Sequence, residues 1–110
     1  MRRIFGFTFS DAKCLTDAHP PRGKSGVYAL LVKTSEGSKG TVRYFGSSTN
    51  IGERLNWGHE IAKQLAREYG KGNVLCCWYV HNNIKLAQKM EEKLIAHFGS
   101  RLVNSNKKAK

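Results

Sequence analysis

The stretch GVYALLVKTSEGSKGTVRYFG, residues 26–46, decides the fold, because it has the pattern of a β-hairpin. Val27–Val32 is a continuous apolar run of strand length, and Thr34–Gly40 is a polar segment that contains two glycines. Thr41–Phe45 then returns with residue types that favour strands. The sequence therefore predicts two antiparallel strands joined by a short loop.

Side-chain alternation along these strands predicts which residues share a face. Tyr28, Leu30 and Val32 fall on one face of the first strand, and Val42 and Tyr44 fall on one face of the second. We therefore expect the two tyrosines to lie on neighbouring strands of one sheet.

A helix is predicted directly after the hairpin. Asn50 is a favourable N-cap, and Glu53 three residues later completes a pattern like a capping box. Gly70, after Tyr69, is a natural end. The sequence thus predicts one helix from Asn50 to Tyr69, with Arg54 in its first turn. A cation is unfavourable at that end of a helix, which suggests an anionic partner.

The remaining segments complete a β-β-α-β-α order. NVLCCWYV, residues 73–80, reads as a third strand, and NNIKLAQKMEEKLIAHF, residues 82–98, reads as a second helix capped by Asn82 or Asn83. The predicted class is α/β of the α+β type, with a small three-stranded antiparallel sheet flanked by helices.

The two ends of the chain are predicted to lie outside this unit. Residues 1–25 read as an amino-terminal extension that ends at the breaker HPPRGKSG, and residues 105–110 read as a basic tail. Ile4, Phe5, Phe7 and Phe9 are apolar, so we expect their segment to be covered, preferably as a strand added to the edge of the sheet.

Glu91 is the most informative local exception to the hydrophobic pattern of the second helix. It lies within about 40° of Ala87 and about 20° of Ile84 around the helix axis, and both belong to the apolar stripe. Glu92 lies on the polar side. A carboxylate on an apolar stripe is costly unless it is paired. Either a basic residue or a divalent metal ion could pair with Glu91.

The charge balance points to a polyanionic partner. The chain has 19 Lys and Arg against 8 Asp and Glu, a net charge of +11. A nuclease, a non-catalytic nucleic-acid-binding module and a ribosome-associated basic protein would all fit this charge. The sequence has no run of about 18 apolar residues, so it predicts no membrane span. Three cysteines without a CxxC pair favour neither a disulfide framework nor a zinc site, so we expect a cytoplasmic protein.

Several short motifs occur in an informative order. GVY at residues 26–28 precedes YFGSSTNIGERL at residues 44–55, AQKMEEKLI at residues 87–95 and GSRLVNSN at residues 99–106. This order and spacing resemble the signature of the GIY-YIG endonuclease superfamily, over about residues 26–104. The resemblance selects Glu91 rather than Glu92, and it places the closing asparagine at Asn104. Ser47 stands where many members have a lysine.

The resemblance implies hydrolysis of DNA phosphodiester bonds with one divalent ion, Mg²⁺ or Mn²⁺, held by Glu91. Arg54 would bind a phosphate oxygen, Tyr28 would activate or position the attacking water, and Tyr44 would position water or contact the phosphate. His59, which follows Arg54 by five residues where many members have four, would be a second proton carrier or a phosphate ligand. We expect DNA as the partner and mainly a monomer, with a dimer possible.

Overall fold

The computed structural model describes residues 2–34 and 40–103, which form a compact α+β fold. Two short 3₁₀ turns, Lys71–Asn73 and Gly99–Arg101, accompany the regular elements. Those elements, in chain order, are β1 (Arg2–Ile4), β2 (Phe7–Phe9), β3 (Lys13–Cys14), β4 (Gly26–Val32), β5 (Thr41–Ser48), α1 (Ile51–Arg54), α2 (Glu60–Tyr69), β6 (Val74–Val80) and α3 (Ile84–Phe98).

The main sheet is antiparallel and has the strand order β3-β6-β4-β5. The predicted three strands are present as β4, β5 and β6, but the prediction of a three-stranded sheet is wrong because β3 adds a fourth strand beside β6. Every residue of β4 is buried. This explains why the strand is apolar throughout rather than alternating, since helices cover both of its faces.

The apolar residues 4–9 do not form the predicted edge strand, but a later part of the same extension does supply one, because β3 pairs with β6 at the edge of the main sheet. β1 and β2 pair with each other in a separate two-stranded sheet, with Ile4 opposite Phe7. The chain reverses at Phe5 and Gly6, which both have positive φ, so the apolar segment pairs with itself before it reaches the main sheet. Ile4 and Phe9 are nevertheless buried, as expected for an apolar segment that needs a cover.

The core consists of one apolar layer on each face of the main sheet. On one face, α3 and the β1–β2 hairpin pack against the sheet, and on the other face α1 and α2 do so. The adjacent residues Cys76 and Cys77 belong to opposite layers, as expected for neighbours on the strand predicted in this segment.

A β-bulge in β5 changes the predicted face of one residue. Leu30 lies opposite Tyr44 but Leu31 lies opposite Val42, so Arg43 is an extra residue in β5. Val42 therefore packs in the layer under α3, and the prediction that it shares a face with Tyr44 is wrong. Tyr28 and Tyr44 do share a face, as predicted.

The predicted long helix is interrupted between residues 55 and 59. The Asn56 side chain donates to the Glu53 carbonyl at 2.6 Å and accepts from the Gly58 amide at 2.7 Å, which closes α1 after a single turn. Arg54 is consequently the last residue of α1 rather than a first-turn residue of a long helix. The unfavourable helix position assigned to it from the sequence therefore does not exist.

No helix among the described residues is long and apolar enough to cross a membrane. The longest of these helices is α3, and it follows its predicted bounds closely. Its buried residues are Ala87, Met90, Leu94 and Ile95, all of which lie on the predicted apolar stripe.

The cap of α3 is Asn83, whose Oδ1 accepts from the Lys85 amide at 3.0 Å and the Leu86 amide at 3.2 Å. We expect Asn83→Ala to lower the free energy of unfolding by about 1 kcal/mol, measured by urea denaturation, because two helix amides lose their partner. Asn82→Ala is the matched control and should have little effect. Equal losses in the two variants would contradict the capping assignment.

Candidate active site

Tyr28 is the central residue of the candidate site. It lies on β4 directly opposite Gly46 of the neighbouring strand, and its side chain is only 1% exposed. A Cβ added to Gly46 would be 2.5 Å from Tyr28 Oη and 2.9 Å from Cε1. The phenol ring therefore lies against the backbone of β5, in space that any other side chain at position 46 would occupy.

His59 holds the Tyr28 hydroxyl from the start of α2. Its Nδ1 accepts from the Ile61 amide at 3.1 Å, and its Nε2 is 2.9 Å from Tyr28 Oη. Because Nδ1 accepts an N–H, the proton of the neutral imidazole is on Nε2, and Nε2–H donates to Tyr28. His59 is 5% exposed. From the sequence the helix was predicted to continue through His59, so its role as a helix cap was missed. The stretch WGHE, residues 57–60, nevertheless has a helix-breaking glycine followed by His59 in the capping position.

Tyr44 completes an aromatic group with these two residues. Its ring centroid is 6.2 Å from that of Tyr28 and 5.3 Å from that of His59. Tyr44 is 9% exposed, so its side chain is nearer the surface than that of Tyr28. Burial raises the pKa of both phenols above the ordinary value, and a hydrogen bond from Tyr28 acts in the opposite direction on the pKa of Tyr44.

Arg54 supplies an exposed cation at the rim of this group. It donates a hydrogen bond to Tyr28, which raises the pKa of Arg54 and counteracts the effect of burial on the pKa of Tyr28. The guanidinium is therefore permanently charged and is held at the tyrosine pair, while the rest of its surface faces solvent.

Glu91 approaches from the other face of the sheet. It is half-buried on α3, and its carboxylate accepts a hydrogen bond from Ser47 Oγ at 2.6 Å. Its negative charge contributes to the raised pKa of Tyr28 and of Tyr44. This is feasible because β5 is an edge strand, and groups on its two faces can meet around it. Glu92 is exposed, as predicted.

Ser47 is the Glu91 partner that sequence reasoning did not identify. A basic residue or a metal ion was expected to pair with the carboxylate, and the structure supplies a neutral hydroxyl. Ser47 follows Phe45 on the same face of β5, which is the face that α3 covers. A serine two residues beyond a buried aromatic was the available signal for this contact.

A loop from the amino-terminal extension lies across α1 beside the site. The Gly52 amide donates to the Pro21 carbonyl at 2.9 Å, and the Ile51 amide donates to the Lys24 carbonyl at 2.9 Å. The loop and α1 enclose a groove of about 380 Å³ whose lining includes Arg22. The segment HPPRGKSG, residues 19–26, was interpreted only as a breaker, so the exposed cations Arg22 and Lys24 were missed as neighbours of the site.

The donor set at Glu91 suits a hard divalent cation that takes most of its ligands from elsewhere. Within residues 2–34 and 40–103, no three His, Cys, Asp or Glu side chains form a group that could hold a metal ion. Mg²⁺ commonly keeps several waters and uses one or two carboxylates together with phosphate oxygens. A single half-buried carboxylate fits that mode of binding and does not fit a closed structural metal site.

The described residues thus bring together Tyr28, Tyr44, Arg54, His59 and Glu91, with Ser47 bonded to Glu91. Asn104, also predicted for the site, lies outside the described residues. No protein-family model, curated protein or solved structure matches the chain.

The contact between Tyr28 and Gly46 can be tested by adding one methyl group. We expect Gly46→Ala to lower the free energy of unfolding by about 1–3 kcal/mol, because the new Cβ overlaps the phenol and forces it or β5 to move. Gly72→Ala is the control, since a Cβ there has nothing within 4 Å. Similar stability of the two variants in denaturant titrations would place the Tyr28 ring elsewhere.

The raised pKa of Tyr28 makes stability dependent on alkaline pH. In the unfolded chain the phenol ionises near its ordinary value of 10.0, while the folded protein keeps the proton. Stability from this group is thus complete below about pH 10 and falls as pH rises towards the folded pKa. We expect Tyr28→Phe to reduce this decline by up to about 1.4 kcal/mol per pH unit. The measurement is the free energy of unfolding as a function of pH. An equally steep decline in wild type and Tyr28→Phe would contradict the raised pKa assigned to Tyr28.

Proposed function

We propose that this protein is a metal-dependent DNA endonuclease that hydrolyses phosphodiester bonds. The observation that carries the proposal is the meeting of Tyr28, Tyr44, His59, Arg54 and Glu91 at one end of β5. These residues come from both faces of the sheet and from segments far apart in sequence. The packing of apolar residues alone gives no reason for such a convergence of titratable groups.

Glu91 is the proposed ligand of the divalent ion, Mg²⁺ or Mn²⁺. Its carboxylate is half-buried, is oriented by Ser47, and carries negative charge beside two phenols. When bound, the ion would polarise the scissile phosphate and offset charge on the leaving oxygen. The Ser47 hydroxyl leaves lone pairs on the carboxylate free, because it occupies one of about four acceptor positions.

Arg54 is the proposed phosphate-binding residue. A guanidinium can donate to Tyr28 and to a phosphate oxygen at once, because it has five N–H donors in a fixed plane. Arg22 and Lys24, on the loop across α1, would contact neighbouring phosphates of the same strand. Contacts of this kind position DNA without reading its sequence, so we propose little sequence preference.

Tyr28 is the proposed acceptor of the proton from the attacking water. His59 Nε2–H and Arg54 both donate to Tyr28, and donors of this kind stabilise the phenolate, which is the form able to accept a proton. Burial opposes ionisation, so the phenolate is a minor form in the free protein. Tyr44, the more exposed phenol, would orient the water or bind a phosphate oxygen.

The alternative, a non-catalytic basic nucleic-acid-binding module, accounts equally well for the net charge of +11. It gives no reason for a carboxylate beside the phenols, where DNA phosphates would be repelled. We further propose that the protein acts in the cytoplasm, mainly as a monomer that cuts one strand at a time, so that nicked circular plasmid is its first product.

The direct test is cleavage of supercoiled plasmid by wild type and Glu91→Gln with Mg²⁺, and again after chelation. We expect Glu91→Gln to abolish nicking, since the amide keeps an acceptor for Ser47 but loses the charge that binds the cation. DNA binding without metal should be unchanged or tighter, because a charge that repels phosphate is removed.

Glu92→Gln is the matched control, because Glu92 is the exposed neighbour of Glu91 on the same helix. It should nick plasmid at the wild-type rate. Nicking that persists in the presence of chelator, or loss of activity in Glu92→Gln rather than Glu91→Gln, would overturn the metal assignment. Binding without any nicking by wild type would favour the non-catalytic module.

A further inference from the structure

Phe5 occupies a position in the β1–β2 turn that is unfavourable for an aromatic residue. Its φ is 47° and that of Gly6 is 85°, and positive φ at both central residues characterises the tight turn preferred in two-residue hairpins. Asn, Asp and Gly are the favoured residues at such positions. A bulky side chain in this backbone conformation is an outlier, and outliers of this kind concentrate at functional sites.

The Phe5 side chain is exposed and yet has a fixed orientation. Half of its surface, 50%, is accessible to solvent. Its ring stacks on the imidazole of His97 with a centroid distance of 4.0 Å and an interplanar angle of 25°. One face of the ring is therefore covered by His97, and the stack leaves the rest of the aromatic surface accessible at the carboxyl end of α3.

Three exposed cations lie near this stack along the chain. Arg3 is exposed on β1, two residues before Phe5, and Lys93 is exposed one helical turn before His97. Arg101 is also exposed, and its guanidinium carbon lies 5.0 Å from the ring centroid of Phe98, the residue after His97. An accessible aromatic ring among arginine and lysine side chains is the combination that binds unpaired nucleobases and their phosphates.

We propose that the Phe5–His97 stack binds an unpaired base of a DNA strand by stacking. The choice of DNA rests on the proposed function. Glu91 and His97 belong to the same helix, about 9 Å apart along its axis and about 120° apart around it, so a short, flexible DNA strand can reach both the stack and the candidate active site. The preferred substrate is then DNA with unpaired bases near the scissile phosphate rather than a continuous duplex.

The test compares binding of labelled oligothymidylate of about 16 nucleotides and of a duplex of equal length, by fluorescence anisotropy with chelator present. Phe5→Asn creates an Asn-Gly turn, which suits the backbone better, so thermal stability should be equal or higher. We expect its Kd for the single strand to rise roughly 5- to 100-fold while its Kd for the duplex is unchanged. The salt dependence should not change, since no phosphate contact is lost.

Leu86→Asn is the matched control, because Leu86 is equally exposed, at 49%, near the other end of α3. It should leave both affinities unchanged, and Phe5→Trp should keep single-strand binding. Equal loss of single-strand and duplex affinity in Phe5→Asn would overturn the proposal, as would unchanged affinity, which would point to a protein partner. Chelator prevents cleavage, so these outcomes do not depend on whether the protein is a nuclease.

Discussion

The close approach of the Tyr28 ring to the backbone of Gly46 is the constraint on which the candidate site depends. It places a phenol at the edge of a sheet whose central strand is otherwise entirely apolar. His59 can reach that phenol because α1 ends after one turn and α2 begins at the required place. Glu91 can act on it because no strand within residues 2–34 and 40–103 pairs with the outer side of β5.

The elements predicted from the sequence were those defined by uninterrupted local patterns. β4, β6 and α3 follow runs of apolar residues with clear caps, and tertiary contacts did not alter them. The bulge at Arg43 was not predictable, since it arises from register between strands. The end of α1 depends on Asn56, whose amide bonds compete with helix formation in a way that periodicity does not reveal.

The proposed site residues were selected for two different reasons. Glu91 departs from an apolar stripe, so helix periodicity alone singles it out, whereas the two tyrosines and His59 were selected only by the resemblance of the short motifs to a known signature. Ser47, the partner that orients Glu91, is set by the approach of elements distant in sequence, whereas His59 is oriented by a local bond from the Ile61 amide two residues later. The pKa shifts of the phenols follow from where these residues lie. Neutralising Glu91 would remove a negative charge that raises the pKa of Tyr28, whereas Arg54 would still lower that pKa.

The bonds that assemble the site join distant parts of the chain, and this has a consequence for its synthesis. Tyr28 and His59 are 31 residues apart, and Ser47 and Glu91 are 44 residues apart. Contacts of such separation form late in folding, after the loops between them have closed. A nascent chain whose α3 is still inside the ribosome has the hairpin and both tyrosines but not the carboxylate. Under the function proposed above, such a chain would lack the proposed metal ligand and would not cut nucleic acid.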